Sequence, residues 1–150
     1  MKNSETHDRL VGVFAALVNS DNSQFSLSSA ALLIAKENNP DLQIDLYERE
    51  LSRLGSGLVE AIRLDTLRYN ARRIIRSMSV FLFKECGFVP DLEFPDDPLN
   101  IYLDSMLDRK TGVAISLTLL YCELGRRAGL DIRPVGLPGN MICRFYPTVT

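Results

Sequence analysis

Histidine occurs once in this chain of 150 residues, as His7, and cysteine three times, as Cys86, Cys122 and Cys143, with no CxxC pair. Residues so scattered cannot supply the four closely spaced ligands of a structural zinc site, so neither a metal nor a cofactor is expected. An odd number of cysteines cannot pair completely within one chain, and the N-terminal stretch Met1–Arg9 is polar and lacks an apolar signal core. Both features point to a reducing, cytoplasmic setting. Long apolar runs are missing too. Ala30–Ala35 and Leu117–Tyr121 fall far short of the ~20 residues that cross a bilayer, so a membrane location is not expected. Charge of one sign is equally scarce. With 17 basic against 19 acidic side chains the net charge is -2, which provides no field to gather nucleic acid.

What is present is an ordinary globular mixture, 46% apolar and 24% charged, enough to bury a core without staples. One domain over 1–150 is expected, with a helical N-terminal part over about 8–97 and a core part over 98–150. Apolar residues at helical spacing predict a first helix over Leu10–Val18 and a second through Ala30–Lys36, capped by Ser26 or Ser28. Asp45 with Glu48 three residues on has the form of a capping box. It predicts a third helix carrying Leu46, Leu51 and Leu54, weakened or kinked at Gly55 and Gly57. A long pattern from Thr66 to Cys86 predicts another helix that stops at Gly87. Its Arg68, Arg72, Arg73 and Arg76 form either a basic patch or the solvated side of an amphipathic helix, and the solvated side is expected.

Val89–Pro98, with three prolines and four acidic residues, predicts a loop. Its carboxylates do not follow an EF-hand spacing. A short helix over Leu99–Asp108 should turn Ile101, Leu103, Met106 and Leu107 inward. From Thr111 to Ala128 apolar residues cover most of a helix circumference, which predicts a central helix packed on several sides. Thr111 would cap it and Gly129 would end it. Ile132–Val135 and Met141–Phe145 then read as strands about a turn at Leu137–Asn140. The fold class is therefore α+β, mostly helical, with a central buried helix followed by a short antiparallel β segment.

Several stretches together carry a family resemblance: Asn100-Ile101-Tyr102-Leu103, then Leu107-Asp108-Arg109-Lys110-Thr111-Gly112-Val113-Ala114-Ile115-Ser116-Leu117, then Gly129-Leu130 and Val135-Gly136-Leu137-Pro138-Gly139-Asn140-Met141-Ile142-Cys143-Arg144. From about residue 28 to 145 the chain resembles the SirB-like branch of the transglutaminase-like superfamily. The resemblance implies a papain-like layout. A cysteine nucleophile stands at the N-terminus of a central helix, a histidine base on a following strand, and an aspartate on the next strand. By that correspondence the nucleophile's slot falls at or beside Ala114 and the histidine's at Asn140. Alanine has no nucleophile, and an asparagine amide cannot take up a proton near neutral pH. The chain also stops near the histidine strand, so the aspartate strand is missing and the layout is expected to be incomplete.

No catalytic residue is therefore expected. Ser116 is about 200° around the helix from Ala114. Cys122 and Cys143 read as core residues, Cys86 sits at a helix C-terminus, and His7 lies in the polar N-terminal segment. A pocket remains conceivable at the helix N-terminus, formed from Arg109, Lys110, Thr111, Ala114, Ser116 and Asn140. Two functions follow as expectations. The first is a non-catalytic module that binds a protein or peptide, with self-association through an open sheet edge near 141–145. The second is a diverged cysteine hydrolase or acyltransferase using Cys143 or Cys122 with an unexpected base.

Overall fold

The described part of the computed structural model comprises residues 26–65 and 70–147, together with Gly12. The helix expected over Leu10–Val18 falls outside it apart from Gly12, which is helical, and so do His7 and Arg68. Helix α1 spans Leu27–Asn38, and the Ser26 hydroxyl accepts the Ser29 N–H at its start. That cap satisfies one of the donors a helix N-terminus leaves free. Helix α2 spans Ile44–Asp65 without interruption. It begins before Asp45, which therefore sits in the first turn, where its charge suits the helix dipole, and not at the cap.

Gly55 and Gly57 do not interrupt α2, and each marks a place where a neighbour comes close. A Cβ at Gly57 would lie 2.9 Å from the Phe81 ring, and one at Gly55 3.1 Å from Arg127 Cβ. The cost of glycine in a helix, about 1 kcal/mol, is offset by that packing. Leu51, Leu54 and Leu58 supply the inward stripe, whereas Leu46, expected among them, is half exposed.

Helix α3 spans Ala71–Ser79, capped by the Asn70 side chain, which accepts the Arg72 N–H at 2.9 Å. Arg72, Arg73 and Arg76 face solvent while Ile74 and Met78 are buried, so the amphipathic expectation holds for the described arginines. At Val80 the helix widens into a π-helical segment, Val80–Glu85. Widened turns reset the angular register of the residues that follow. Phe81 thus reaches Gly57 on α2, while Phe83 stacks against Tyr121 with centroids 6.2 Å apart.

After Gly87, at φ 76°, a short strand β1, Val89–Pro90, pairs in parallel with β2, Thr111–Gly112. Between them lie a 3-10 turn, Pro98–Asn100, and helix α4, Leu103–Arg109. The single helix expected over Leu99–Asp108 is thus broken at Ile101–Tyr102, and Ile101 points outward. Asp97 caps the first piece through Leu99 N–H at 2.9 Å, and the break re-aims the chain so that Leu103, Met106 and Leu107 are buried.

Helix α5 spans Ala114–Arg127 and is the centre of the fold. Helices α1, α2 and α4 pack against it, and so do both strands of the hairpin β3, Asp131–Leu137, and β4, Asn140–Tyr146. Leu120 and Leu124 are almost wholly excluded from water, worth roughly 2 kcal/mol each. The architecture is α+β and mostly helical, with its antiparallel pair at the end of the described chain.

Candidate functional site

The start of α5 is set by hydrogen bonding, and it lies later than Thr111. Thr111 is strand β2, and the helix cap is Val113. Valine has no acceptor, so the helix turns to Ser116 instead. The Ser116 hydroxyl accepts the Val113 N–H at 3.0 Å and donates to the Asn100 carbonyl at 2.7 Å. That bond joins the Asn100 turn to the central helix and explains why Ser116 is buried. Gly112 is fitted against the same place, since a Cβ there would lie 2.6 Å from Ser116 Oγ.

Ala114, at or beside which the resemblance places the nucleophile's slot, is the first residue of α5 and is exposed. Beside it opens a cleft of about 360 Å³. Helix α5 gives it Leu117, Thr118 and Tyr121, the hairpin gives it Ile132, Met141 and Phe145, and Phe83 and Ile75 close the far side. The π turn is what brings Phe83 there. No carboxylate, lysine, arginine or histidine lines this cleft among the described residues.

Alternation along β4 decides which hairpin residues reach the cleft. Met141, Cys143 and Phe145 are half-buried toward α5, whereas Asn140, Ile142, Arg144 and Tyr146 are exposed. Ile142 still borders the cleft. The outer face is polar and cationic, with the Arg133 and Arg144 guanidinium groups over the Tyr146 ring at 4.8 and 5.1 Å. Asn140, where the resemblance places the histidine's slot, closes the hairpin opposite Leu137, and its side chain accepts the Met141 N–H at 2.8 Å. The left-handed position of the turn belongs to Gly139, at φ 71°, and not to Asn140.

The other residues expected near the helix start are engaged elsewhere. Arg109 forms ion pairs with Asp97 at 3.2 Å and Asp91 at 3.6 Å, which tie the acidic loop back to α4. Backbone N–H groups of Phe94 and Glu93, the Asn100 amide and Arg109 together hold the Asp91 carboxyl below its usual range. Lys110 ends α4 in a left-handed conformation, at φ 56°, with its ammonium 4.5 Å over the Phe88 ring and 3.8 Å from Glu50. Of the six residues expected at a pocket, Ala114 alone lines the cleft.

The thiols have a relation that periodicity did not disclose. Cys122, on α5, lies 3.8 Å from Cys143, on β4, sulfur to sulfur. The Cys122 S–H and the Thr118 hydroxyl favour a thiolate on Cys143, opposed by burial, and bring Cys143 below the ordinary thiol value. The hydrogen bond to Cys143, burial and the neighbour's charge push Cys122 far up, so the pair gives up its first proton from Cys143 and its second with much more difficulty. Cys86 is raised by burial, against the attraction of Lys110 and Arg53. The helix and strand patterns each turned a cysteine inward, yet nothing in the sequence fixed the register between them.

At its other end α5 carries a polar cluster. Glu123 is wholly buried and accepts from Arg126 at 2.7 Å, Arg127 at 2.8 Å and Ser28 at 3.1 Å. Arg127 continues to Glu48 and Ser52, so α1, α2 and α5 are joined through it. Burial acts to raise the Glu123 carboxyl, but the two guanidinium groups outweigh it and hold it below the usual range.

A central helix whose first residue borders a cleft, followed by a hairpin that forms the facing wall, agrees with the helix-then-strand order that the resemblance implies. The family profile of the transglutaminase-like superfamily matches residues 45–149, and the chain belongs to that superfamily. It is 29% identical over 137 residues to the UPF0162 protein of Xylella fastidiosa, covering 91% of this chain and 47% of that protein. It is 31% identical over 127 residues to the UPF0162 protein of Vibrio cholerae, covering 84% of this chain and 46% of that protein. The chain thus spans about half the length of these curated relatives. F-box only protein 21 of Homo sapiens is 29% identical over 73 residues, 49% of this chain and 12% of that protein. No solved structure shows a significant match.

Proposed function

We propose that this domain is a non-catalytic member of the superfamily that binds an apolar segment of a protein or peptide in the cleft beside Ala114. The observation that carries this reading is the cleft itself. It opens beside Ala114, at or beside which the resemblance places the nucleophile's slot, and its wall is mostly apolar. Such a surface gains free energy by burying an aliphatic or aromatic side chain, about 25 cal/mol for each Å² removed from water. Among the described residues its lining holds no carboxylate or histidine to serve as a base for acyl transfer. Placement in the SirB-like branch, on the residues from Asn100 to Arg144 quoted above, and a cytoplasmic setting for three free thiols belong to the same reading. Self-association through the edge of β4 near 141–145 is a further part of it, and sedimentation that stays monomeric at high concentration would remove that part.

The test uses a panel of blocked peptides, each with one central Phe, Leu or Asp, titrated into the protein and into Ala114→Trp. Phe and Leu peptides should bind, Asp peptides should not, and the indole should weaken binding at least tenfold. Binding indifferent to both changes would overturn the reading.

One observation favours a second reading, a diverged thiol hydrolase or acyltransferase. Cys143 borders the cleft, and its thiol is held below the ordinary value by Cys122 and Thr118. It lacks a general base in the cleft wall among the described residues. Turnover of p-nitrophenyl acetate separates the two. The binding module acylates at most once per thiol, whereas an enzyme continues to release nitrophenol and loses that activity with Cys143→Ser.

A further inference from the structure

Two thiols held in contact from different elements constitute a chemical group that the cleft's binding role does not use. Cys122 projects from α5 and Cys143 from β4; both are free, and their sulfurs lie 3.8 Å apart. We propose that Cys122 and Cys143 are a redox couple that a low-molecular-weight disulfide converts reversibly into an intramolecular disulfide, fastening the β3–β4 hairpin to α5.

The sulfurs already touch, and closing from contact to the roughly 2.05 Å of an S–S bond is within reach of side-chain rotation and a small shift of the hairpin. Exposure assigns the order of events. Cys143 is half-buried on the cleft wall, so a small disulfide can reach it, whereas Cys122 is only 2% exposed. The Cys143 thiolate attacks one sulfur of the small disulfide, forming a mixed disulfide and releasing the first small thiolate, which takes up the proton Cys143 lost. The Cys122 thiol, 3.8 Å away, then loses its proton and attacks Cys143 Sγ, expelling the second small thiol. Two protein thiols are oxidised and one small disulfide is reduced to two thiols. The depressed titration of Cys143 supports this order, since the thiolate is the attacking species. Cys86 has no part in it. It ends the π-helical segment and interacts with Lys110 and Arg53.

Cys143 lies between Met141 and Phe145 on the cleft-facing side of β4. A bond from Cys143 to α5 therefore fixes one wall of the cleft against the other. The couple forms whether or not anything occupies the cleft, so it stands or falls separately from the binding reading.

Native protein equilibrated with a series of reduced and oxidised glutathione ratios, then alkylated, digested and mapped by mass spectrometry, tests this directly. The expected result is a Cys122–Cys143 linked peptide, a protein mass lower by two hydrogens, and Cys86 still alkylated. Cys86→Ser should keep the link. Cys122→Ser should stop the reaction at a stable glutathione adduct on Cys143, and the oxidised wild type should melt higher by about 5 °C. If Cys122→Ser fails to fold, the wild-type peptide map decides alone. Saturating oxidised glutathione that leaves Cys122 and Cys143 both alkylatable, or a link that forms only in denaturant, would overturn the proposal. A link without peptide binding would sink the cleft reading and leave this one standing.

Discussion

Cys122 and Glu123 are neighbours in sequence, yet they serve opposite regions of the molecule. Glu123 turns into a closed cluster in which its charge is met by Arg126 and Arg127, with Ser28 bonded to one of its oxygens. Cys122 turns toward the hairpin, where a second thiol and an apolar cleft meet solvent. The contrast separates two uses of polarity. On one side, charges paired around a buried carboxylate join three helices. The lining of the open region carries no charged side chain among the described residues; it is mostly apolar surface with the Cys143 sulfur.

The largest effect is expected on the closed side. Glu123→Ala leaves two guanidinium groups without their shared carboxylate and should cost about 3 kcal/mol of stability in chemical denaturation. Acid probes the same group. The folded Glu123 titrates below its ordinary value, so its contribution is complete above about pH 4.5 and is lost as pH falls through the lower, folded value. Stability measured across that window should fall, and the fall should be shallower in Glu123→Gln. A glutamine variant with wild-type stability and an unchanged acid limb would erase the distinction between the two sides.

Gly57→Ala should follow, costing about 1–2 kcal/mol, because the added methyl meets the Phe81 ring at 2.9 Å. A methyl on an exposed helix position would instead stabilise by up to about 1 kcal/mol, so the sign of the change decides whether α2 and the π segment are in contact. On the open side Ala114→Trp should alter stability by no more than about 0.5 kcal/mol, since Ala114 is exposed, while weakening peptide binding at least tenfold. Arg109→Ala, which releases partly exposed ion pairs to Asp91 and Asp97, should cost under about 1 kcal/mol. A loss as large as that of Glu123→Ala would place the loop among the closed regions.

Much of the fold was legible because it rests on local rules. The cap at Ser26, the stop at Gly87, the long central helix and the terminal hairpin all follow from residues within a few positions of one another. What was not legible depends on register between elements. Glu123 was not singled out, and Arg126 and Arg127 read as last-turn cations, because the Ser28, Ser52 and Glu48 partners of Glu123 and Arg127 are at least 75 residues away. Gly55 and Gly57 read as breaks because the chain that fills their space is not local. The site divides in the same way. That position 114 lacks a nucleophile and position 140 a base could be read directly. The cleft could not, because Phe83 reaches it through the widened turn and Ile75 meets Tyr121 from a helix 46 residues earlier in the chain. Thr111 misled because threonine is a good cap, yet Ser116 reaches back to the Val113 N–H from inside the helix.

The central claim is that the open region beside Ala114 binds apolar side chains and performs no acyl transfer. The most direct measurement is an amide and methyl NMR titration with acetyl-Phe-Leu-amide. Saturable shifts at Ala114, Leu117, Met141 and Phe145, with the peptide recovered unmodified, are the predicted result. Absence of shifts at those residues, or hydrolysis of the peptide that Cys143→Ser abolishes, would contradict it.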